Sequence, residues 1–221
     1  MTYSGLLWRT AVVSMLGMVV LAGCNSTKST GSTTTTVARS VALPSAVSDD
    51  LRVTIFDRFP TNYIEAPAGS DLDGPLGLAG TAEAVDDQES AKQEAILRQY
   101  GFRSAYQRTW AVKGTGETLI IRVQVMGSPG QALGYFNLLT FAGQASSQLT
   151  TFPTPRLADT SGFTRSFTAP TGSQVAQDIN MVRGPLFYHL IFTGPQGSIS
   201  PSDILRVARS QSTEAASLGY A

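Results

Sequence analysis

His189 is the only histidine in the chain, so any histidine-dependent catalysis would have to pass through it. Its surroundings do not supply the partners such chemistry needs. It lies in an apolar run, residues 186–193, that alternates as a strand does, on the side opposite Tyr188 and Leu190. There is no Gly-x-Ser-x-Gly elbow, and Lys28, Lys92 and Lys113 each lack a serine three residues before them. The expectation is a strand histidine that faces solvent or is hydrogen-bonded. A zinc site is not expected from one histidine and one cysteine. Asp71-Leu72-Asp73-Gly74 lacks the remaining ligands of a calcium loop and the glutamate that closes it, so these aspartates, like Asp86 and Asp87, read as turn and cap residues. Glycosidase-type chemistry needs two carboxylates about 5–10 Å apart. Glu117 at a hairpin turn and Asp178 in a strand are candidates, and the plain reading of Asp178 is the solvent face of that strand. Gly127-Ser128-Pro129-Gly130 resembles an anion-binding helix start but has no P-loop lysine, and reads as a cap. Tyr106, Arg108 and Trp110 share one face of a strand and are the best binding candidates, since indole, phenol and guanidinium together stack on a sugar or grip a partner. The competing reading, an aromatic core with Arg108 reaching its edge, is favoured. No catalytic residue, metal or cofactor is expected, and the chain does not read as an enzyme.

Cys24 is the single cysteine, and it closes a distinctive segment. Arg9 and the amino terminus precede an apolar stretch, residues 11–21, which is followed by Leu21-Ala22-Gly23-Cys24. The apolar stretch has signal-peptide length and falls short of the roughly 20 residues of a transmembrane helix. Leu-Ala-Gly-Cys resembles the lipobox of bacterial lipoproteins, which implies diacylglycerol on the Cys24 sulfur and cleavage before it. Each buried methylene contributes roughly 0.8 kcal/mol, and two or more acyl chains give stable attachment. The predicted partner of Cys24 is therefore a membrane, on its extracytoplasmic face. With no second cysteine, no intramolecular disulfide can form in that exported location.

Residues 25–40 are dominated by Ser and Thr and have little to bury, so residues 24–43 read as a lipidated cysteine plus a flexible stalk. Sixteen such residues reach about 20–24 Å. Residues 44–221 then form one domain, roughly 180 residues being enough for a real core. Acidic and basic side chains number 16 each, and loss of Arg9 with residues 1–23 leaves the chain close to neutral. That balance argues against nucleic acid as a partner. Charged residues make up only 14% of the chain, against about 25% in typical domains, so the surface must rely on Ser, Thr, Gln and Gly.

These candidates have to be positioned by the following elements. A short strand is expected within 51–60, a loop over 71–80 and a helix over 86–100, capped by Asp86 or Asp87 and stopped by Gly101. Ala91, Ala95, Ile96 and Tyr100 would share one face of that helix. Residues 104–112 and 118–126 form a hairpin about the turn 113–117, with Leu119, Ile121, Val123 and Val125 toward the core. Pro129 opens a helix to Ala145 with Leu133, Phe136 and Thr140 along its stripe and Ala132 and Leu139 flanking it. Strands are expected at 163–169, 174–182 and 186–193, with Arg183-Gly184-Pro185 as the turn between the last two. Ser200 and Asp203 start a final helix on which Ile204, Val207, Ala208, Gln211 and Ala215 recur at helical spacing. The pattern is two hairpin-then-helix units, which predicts an α+β fold: an antiparallel sheet with helices packed on it.

Gly101-Phe102, Arg108-Thr109-Trp110, the apolar strand 119–125, the helix segment 132–136, Arg183-Gly184 and Gln211 occur in an order that resembles a group of poorly characterised actinobacterial, mycobacteria-like cell-envelope lipoproteins. The order of elements is also similar to that of the PsbP-like α+β fold. The resemblance implies an envelope location and assigns no chemistry. Three functions are weighed on this basis. The preferred one is a non-enzymatic envelope lipoprotein that binds a protein or a glycan. The next is a carrier of a lipid or apolar ligand in a cavity between sheet and helices. The least expected is a hydrolase.

Overall fold

The computed structural model describes residues 51–220, so Cys24, the signal segment and the stalk lie outside the described residues. Eight strands form one antiparallel sheet: β1 (Tyr63–Glu65), β2 (Gly74–Leu76), β3 (Ser104–Val112), β4 (Thr118–Val125), β5 (Thr150–Phe152), β6 (Thr160–Ala169), β7 (Gly172–Arg183) and β8 (Leu186–Pro195). Their spatial order is β1-β3-β4-β8-β7-β6-β5, with β2 also pairing with β3. The helices are α1 (Leu78–Val85), α2 (Ser90–Gln99), α3 (Pro129–Ala145) and α4 (Pro201–Ser217). The fold is α+β, as its two hairpin-then-helix units predict. None of the described helices is long and apolar enough to cross a membrane.

The two units join where β4 pairs with β8, from Thr118 opposite Thr193 to Val125 opposite Leu186. Alternation then sends successive side chains to opposite faces of the sheet. Leu119, Ile121, Val123 and Val125 of β4 meet Leu186, Tyr188, Leu190 and Phe192 of β8 in one apolar layer, closed by Ile204, Val207, Ala208 and Ala215 of α4. Met126, Val182 and Phe187 point the other way and pack under Ala132, Tyr135 and Phe136 of α3, together with Ala82 of α1 and Leu97 of α2. The sheet is therefore covered on one face by α4 and in part on the other by α1, α2 and α3.

Helix starts follow the local chemistry. Ser128 Oγ accepts from Gln131 N at 3.2 Å, with Pro129 in the first turn of α3. The Asp203 carboxylate accepts from the Ser200 backbone N–H at 2.9 Å and its hydroxyl at 2.8 Å. Gly101 ends α2 at φ +68°, a conformation that favours glycine, and Phe102 N donates to Leu97 O at 2.9 Å.

Several elements differ from expectation. Residues 51–54 form a 3-10 turn in place of a strand; Ile55 N donates to Arg52 O, and Leu51 and Ile55 are buried against the sheet. The glycine-rich stretch read as a loop contains β2 and leads into α1, because burial of Thr81 and Ala82 outweighs weak helix propensity. Asp86 does cap, but it caps a turn, accepting from the backbone N–H groups of Gln88 and Glu89, and α2 begins at Ser90. The buried side of α2 carries Gln93 and Leu97, while Ala91 and Ala95 are exposed. On α3 the inward stripe is Ala132, Tyr135, Phe136 and Gly143, and Leu133 is exposed.

Gln211 stitches the amino-terminal turn to the last helix. Its Nε2 donates to Thr54 O at 2.7 Å, and its Oε1 accepts from Phe56 N at 2.9 Å. Gln211→Ala leaves buried backbone groups unpaired, and should cost about 2–4 kcal/mol of unfolding free energy in urea titration.

Candidate functional site

Tyr106, Arg108 and Trp110 lie on the side of β3 that faces the 51–57 segment, and this face is turned inward. Arg108 is 2% exposed. Its Nε donates to Glu65 Oε1 at 2.7 Å, its Nη1 donates to Ile55 O at 3.3 Å, and its guanidinium stacks 5.0 Å from the Trp110 ring centre. Arg52 donates to the same Glu65 oxygen at 2.8 Å, and Tyr106 Oη donates to Asp73 Oδ1 at 3.0 Å. Burial and the neighbouring Glu65 carboxylate push the Asp73 carboxyl up. Burial also acts to raise Glu65, but hydrogen bonding to Arg108 and the charges of Arg108 and Arg52 outweigh it and hold Glu65 below its ordinary value. Two carboxyls pushed apart in this way could form an acid–base pair. Asp73 is 0% exposed, however, and a general acid has to touch its substrate. What this cluster does is clamp the 51–57 segment, β1 and the loop before β2 onto β3.

The opposite face of the sheet presents a different arrangement. Gln107, Arg122, His189, Asn180 and Ser161 are successive cross-strand partners on β3, β4, β8, β7 and β6, so they form one polar row. On the side toward α3, the next row is Ala105, Gln124, Phe187 and Val182, all buried. On the other side it is Thr109, Ile120, Ile191, Asp178 and Phe163, with Ile120 and Ile191 only half-buried. Cover thus thins from the α3 end of the face toward Thr118 and Thr193.

Arg122 is 3% exposed. Its Nε and Nη2 donate to Gln107 Oε1 at 3.1 and 2.7 Å. No carboxylate among the described residues forms a salt bridge with it, and its buried Nη1 has no hydrogen-bond partner there. Burial pushes its pKa down to about 10, although it lies close enough to the Tyr135 phenol for the two to interact. That shift sets about 3 kcal/mol against the charged form on folding. Asn180 Oδ1 on the same row is likewise buried and unpartnered.

Asp178 lies within 3.7 Å of His189 Nε2 and 3.4 Å of Arg165 Nε. It is buried, not on the solvent face of its strand. The solvent-face reading failed because α3 and the flanking strand β6 enclose the alternating polar positions as well as the apolar ones. Burial acts to raise Asp178, but the nearby His189 imidazole and the Arg165 charge outweigh it and hold the carboxyl below its ordinary value. Burial pushes His189 down, with Asp178 opposing and the Arg122 and Arg165 charges adding to the fall. His189 and Asp178 have the makings of two-thirds of a catalytic triad. The serine on their side of the sheet, Ser161, is two strands from His189, about 10 Å at ordinary strand spacing, and its Oγ accepts from Thr140 Oγ1 at 2.9 Å. Among the described residues no group of three or more His, Cys, Asp or Glu side chains could hold a metal ion.

Sequence reading singled out His189 and Asp178 but passed over Arg122. The available signal was one arginine at an alternate position of the otherwise apolar Leu119-Ile120-Ile121-Arg122-Val123.

The molecule is thus an α+β domain with one filled apolar layer and one polar, incompletely covered sheet face. No known family matches the sequence, and no curated protein matches it. Among solved structures, it has a distant likeness to the extracellular domain of PknH from Mycobacterium tuberculosis, at 9% identity and a TM-score of 0.41, covering 76% of this chain and 94% of that one.

Two outcomes are expected from these sites. Arg108→Met leaves Glu65 to Arg52 and Ile55 O without its donor, and should destabilise the domain by about 1–3 kcal/mol in chemical denaturation. His189 is harder to protonate folded than unfolded, so the unfolded chain takes up the extra proton on acidification. Its contribution is full above about pH 6.5 and falls as the pH drops toward the folded value. The Asp178 contribution is lost only at lower pH, below about 4. Thermal midpoints measured from pH 7 to 5 should therefore fall less steeply for His189→Gln than for the wild type.

Proposed function

We propose that this chain is an exported bacterial lipoprotein, anchored through Cys24, whose domain is a non-enzymatic binding module of the cell envelope. The observation that carries the binding half is Arg122: a buried cation on a partly open sheet face, with no carboxylate partner among the described residues. A group of this kind costs folding free energy, and a ligand supplies the missing partner. The Leu-Ala-Gly-Cys motif and the Ser/Thr stalk support the anchored half. Side chains fill the layer between the sheet and α4, among them the fully buried Leu119, Ile121, Tyr188, Leu190 and Ile204, which favours a surface binder over a carrier with a cavity there. The partner is a component of the envelope, protein, glycan or lipid.

Expression in a bacterial host with an alkyne fatty-acid label tests the anchor. The wild type should carry label in the membrane fraction, and Cys24→Ala should lose the label and be released or left unprocessed. Membrane-bound, normally processed Cys24→Ala would sink the lipoprotein reading. A broad hydrolase screen of the same protein should give no turnover; turnover abolished by Asp178→Asn would replace the binding module with an enzyme.

A further inference from the structure

We infer that the sheet face around Arg122 binds the oxyanion head of an amphipathic ligand, a carboxylate or phosphate monoester carrying a short apolar portion. This rests on the binding-module reading and names the class of ligand. Charge sets the head group. Of the ionised groups on this face, Asp178 is flanked by His189 and Arg165, at 3.7 and 3.4 Å. Arg122 has only the neutral Gln107 amide, and its Nη1 donor is unused. Asp178 Oδ1 is also without a hydrogen bond, but it has two basic side chains within 4 Å and Arg122 has no carboxylate among the described residues, so the charge left over on the face is positive. Arg122 is enclosed, so a ligand reaches it only as the half-buried Ile120 and Ile191 move aside, and there a charge-assisted hydrogen bond is strongest. A guanidinium already held on two of its nitrogens is oriented before the ligand arrives.

Register sets the rest of the ligand. Ile120 and Ile191 are direct cross-strand partners, half-buried, one row from Arg122 and His189 toward the open end of the sheet. Thr118 and Thr193, also half-buried, follow in the next row. An oxyanion seated against Arg122 beside His189 would therefore place its apolar portion on the two isoleucines, with its far end leaving between the threonines. A neutral amphiphile would gain the isoleucine contact and leave the guanidinium unmatched.

The test uses the mature chain with Cys24→Ser, labelled at isoleucine methyls, titrated with octanoate, octyl phosphate and 1-octanol in nuclear magnetic resonance. Octanoate or octyl phosphate should shift the Ile120 and Ile191 methyls and bind at least 10-fold more tightly than octanol; whichever binds better tells a carboxylate source from a phosphoryl source. Arg122→Lys should retain part of that preference. The paired substitution Arg122→Met with Gln107→Leu removes both hydrogen-bonding partners, so the fold should persist while the preference for the charged probes collapses to less than 2-fold. Octanol binding as tightly as both charged probes would overturn the oxyanion head and leave the binding face standing. Failure of all three probes to shift either methyl would overturn the inference and count against the binding-face reading as well. Retention of the preference in the paired variant would show that Arg122 is not its source.

Discussion

Strands β4 and β8 pair over their whole common length at the centre of the sheet, and the period of two along each decides what every other element does. Leu119, Ile121, Val123 and Val125, with Leu186, Tyr188, Leu190 and Phe192, commit one face to burial under α4. Once those eight side chains face α4, Arg122, Gln124, Phe187 and His189 have to face the other way. A slip of one residue would exchange the two sets and put a guanidinium and an imidazole into the apolar layer. The polar face follows geometrically from the apolar one.

Two arginines on neighbouring strands show how little burial alone says about role. Arg108 and Arg122 are almost equally buried. Arg108 meets Glu65, a backbone carbonyl and the Trp110 ring, so its desolvation is offset and it serves as a clamp. Arg122 meets one neutral amide, and burial depresses its pKa. The difference lies in what stands opposite each guanidinium. β1 brings a carboxylate to Arg108 across the edge of the sheet, while β8 brings an imidazole to Arg122 at its centre.

Much of the fold was legible without coordinates. The limits of α3, the capped start of α4 and five of its six buried residues, all but Leu205, followed from proline, serine, aspartate and helical spacing. The hairpins followed from alternation and glycine turns. The errors fall where local signals are weak and distant packing decides. Residues 51–54 alternate like a strand yet form a turn, because Gln211, more than 150 positions away, accepts from and donates to their backbone neighbourhood. Helix α1 occupies a stretch with glycines near its start because Ala82 fills a place under the sheet that propensity does not register. At the site, His189 and Asp178 were legible as residue types, but their proximity was not. It depends on β7 and β8 pairing so that Asp178 and His189 lie on adjacent rows.

The sequence by itself determined which side chains alternate in the long strands, where α3 and α4 begin and the lipobox-like setting of Cys24, because each is written within a few consecutive residues. Only the tertiary structure decided which polar residues are enclosed and which charges are matched. Enclosure and matching are set by strand order and by the helices laid over each face, which join residues tens to more than a hundred positions apart. That is why Arg122, one arginine in an apolar strand by sequence, stands out only when Gln107, His189 and Tyr135 are placed around it.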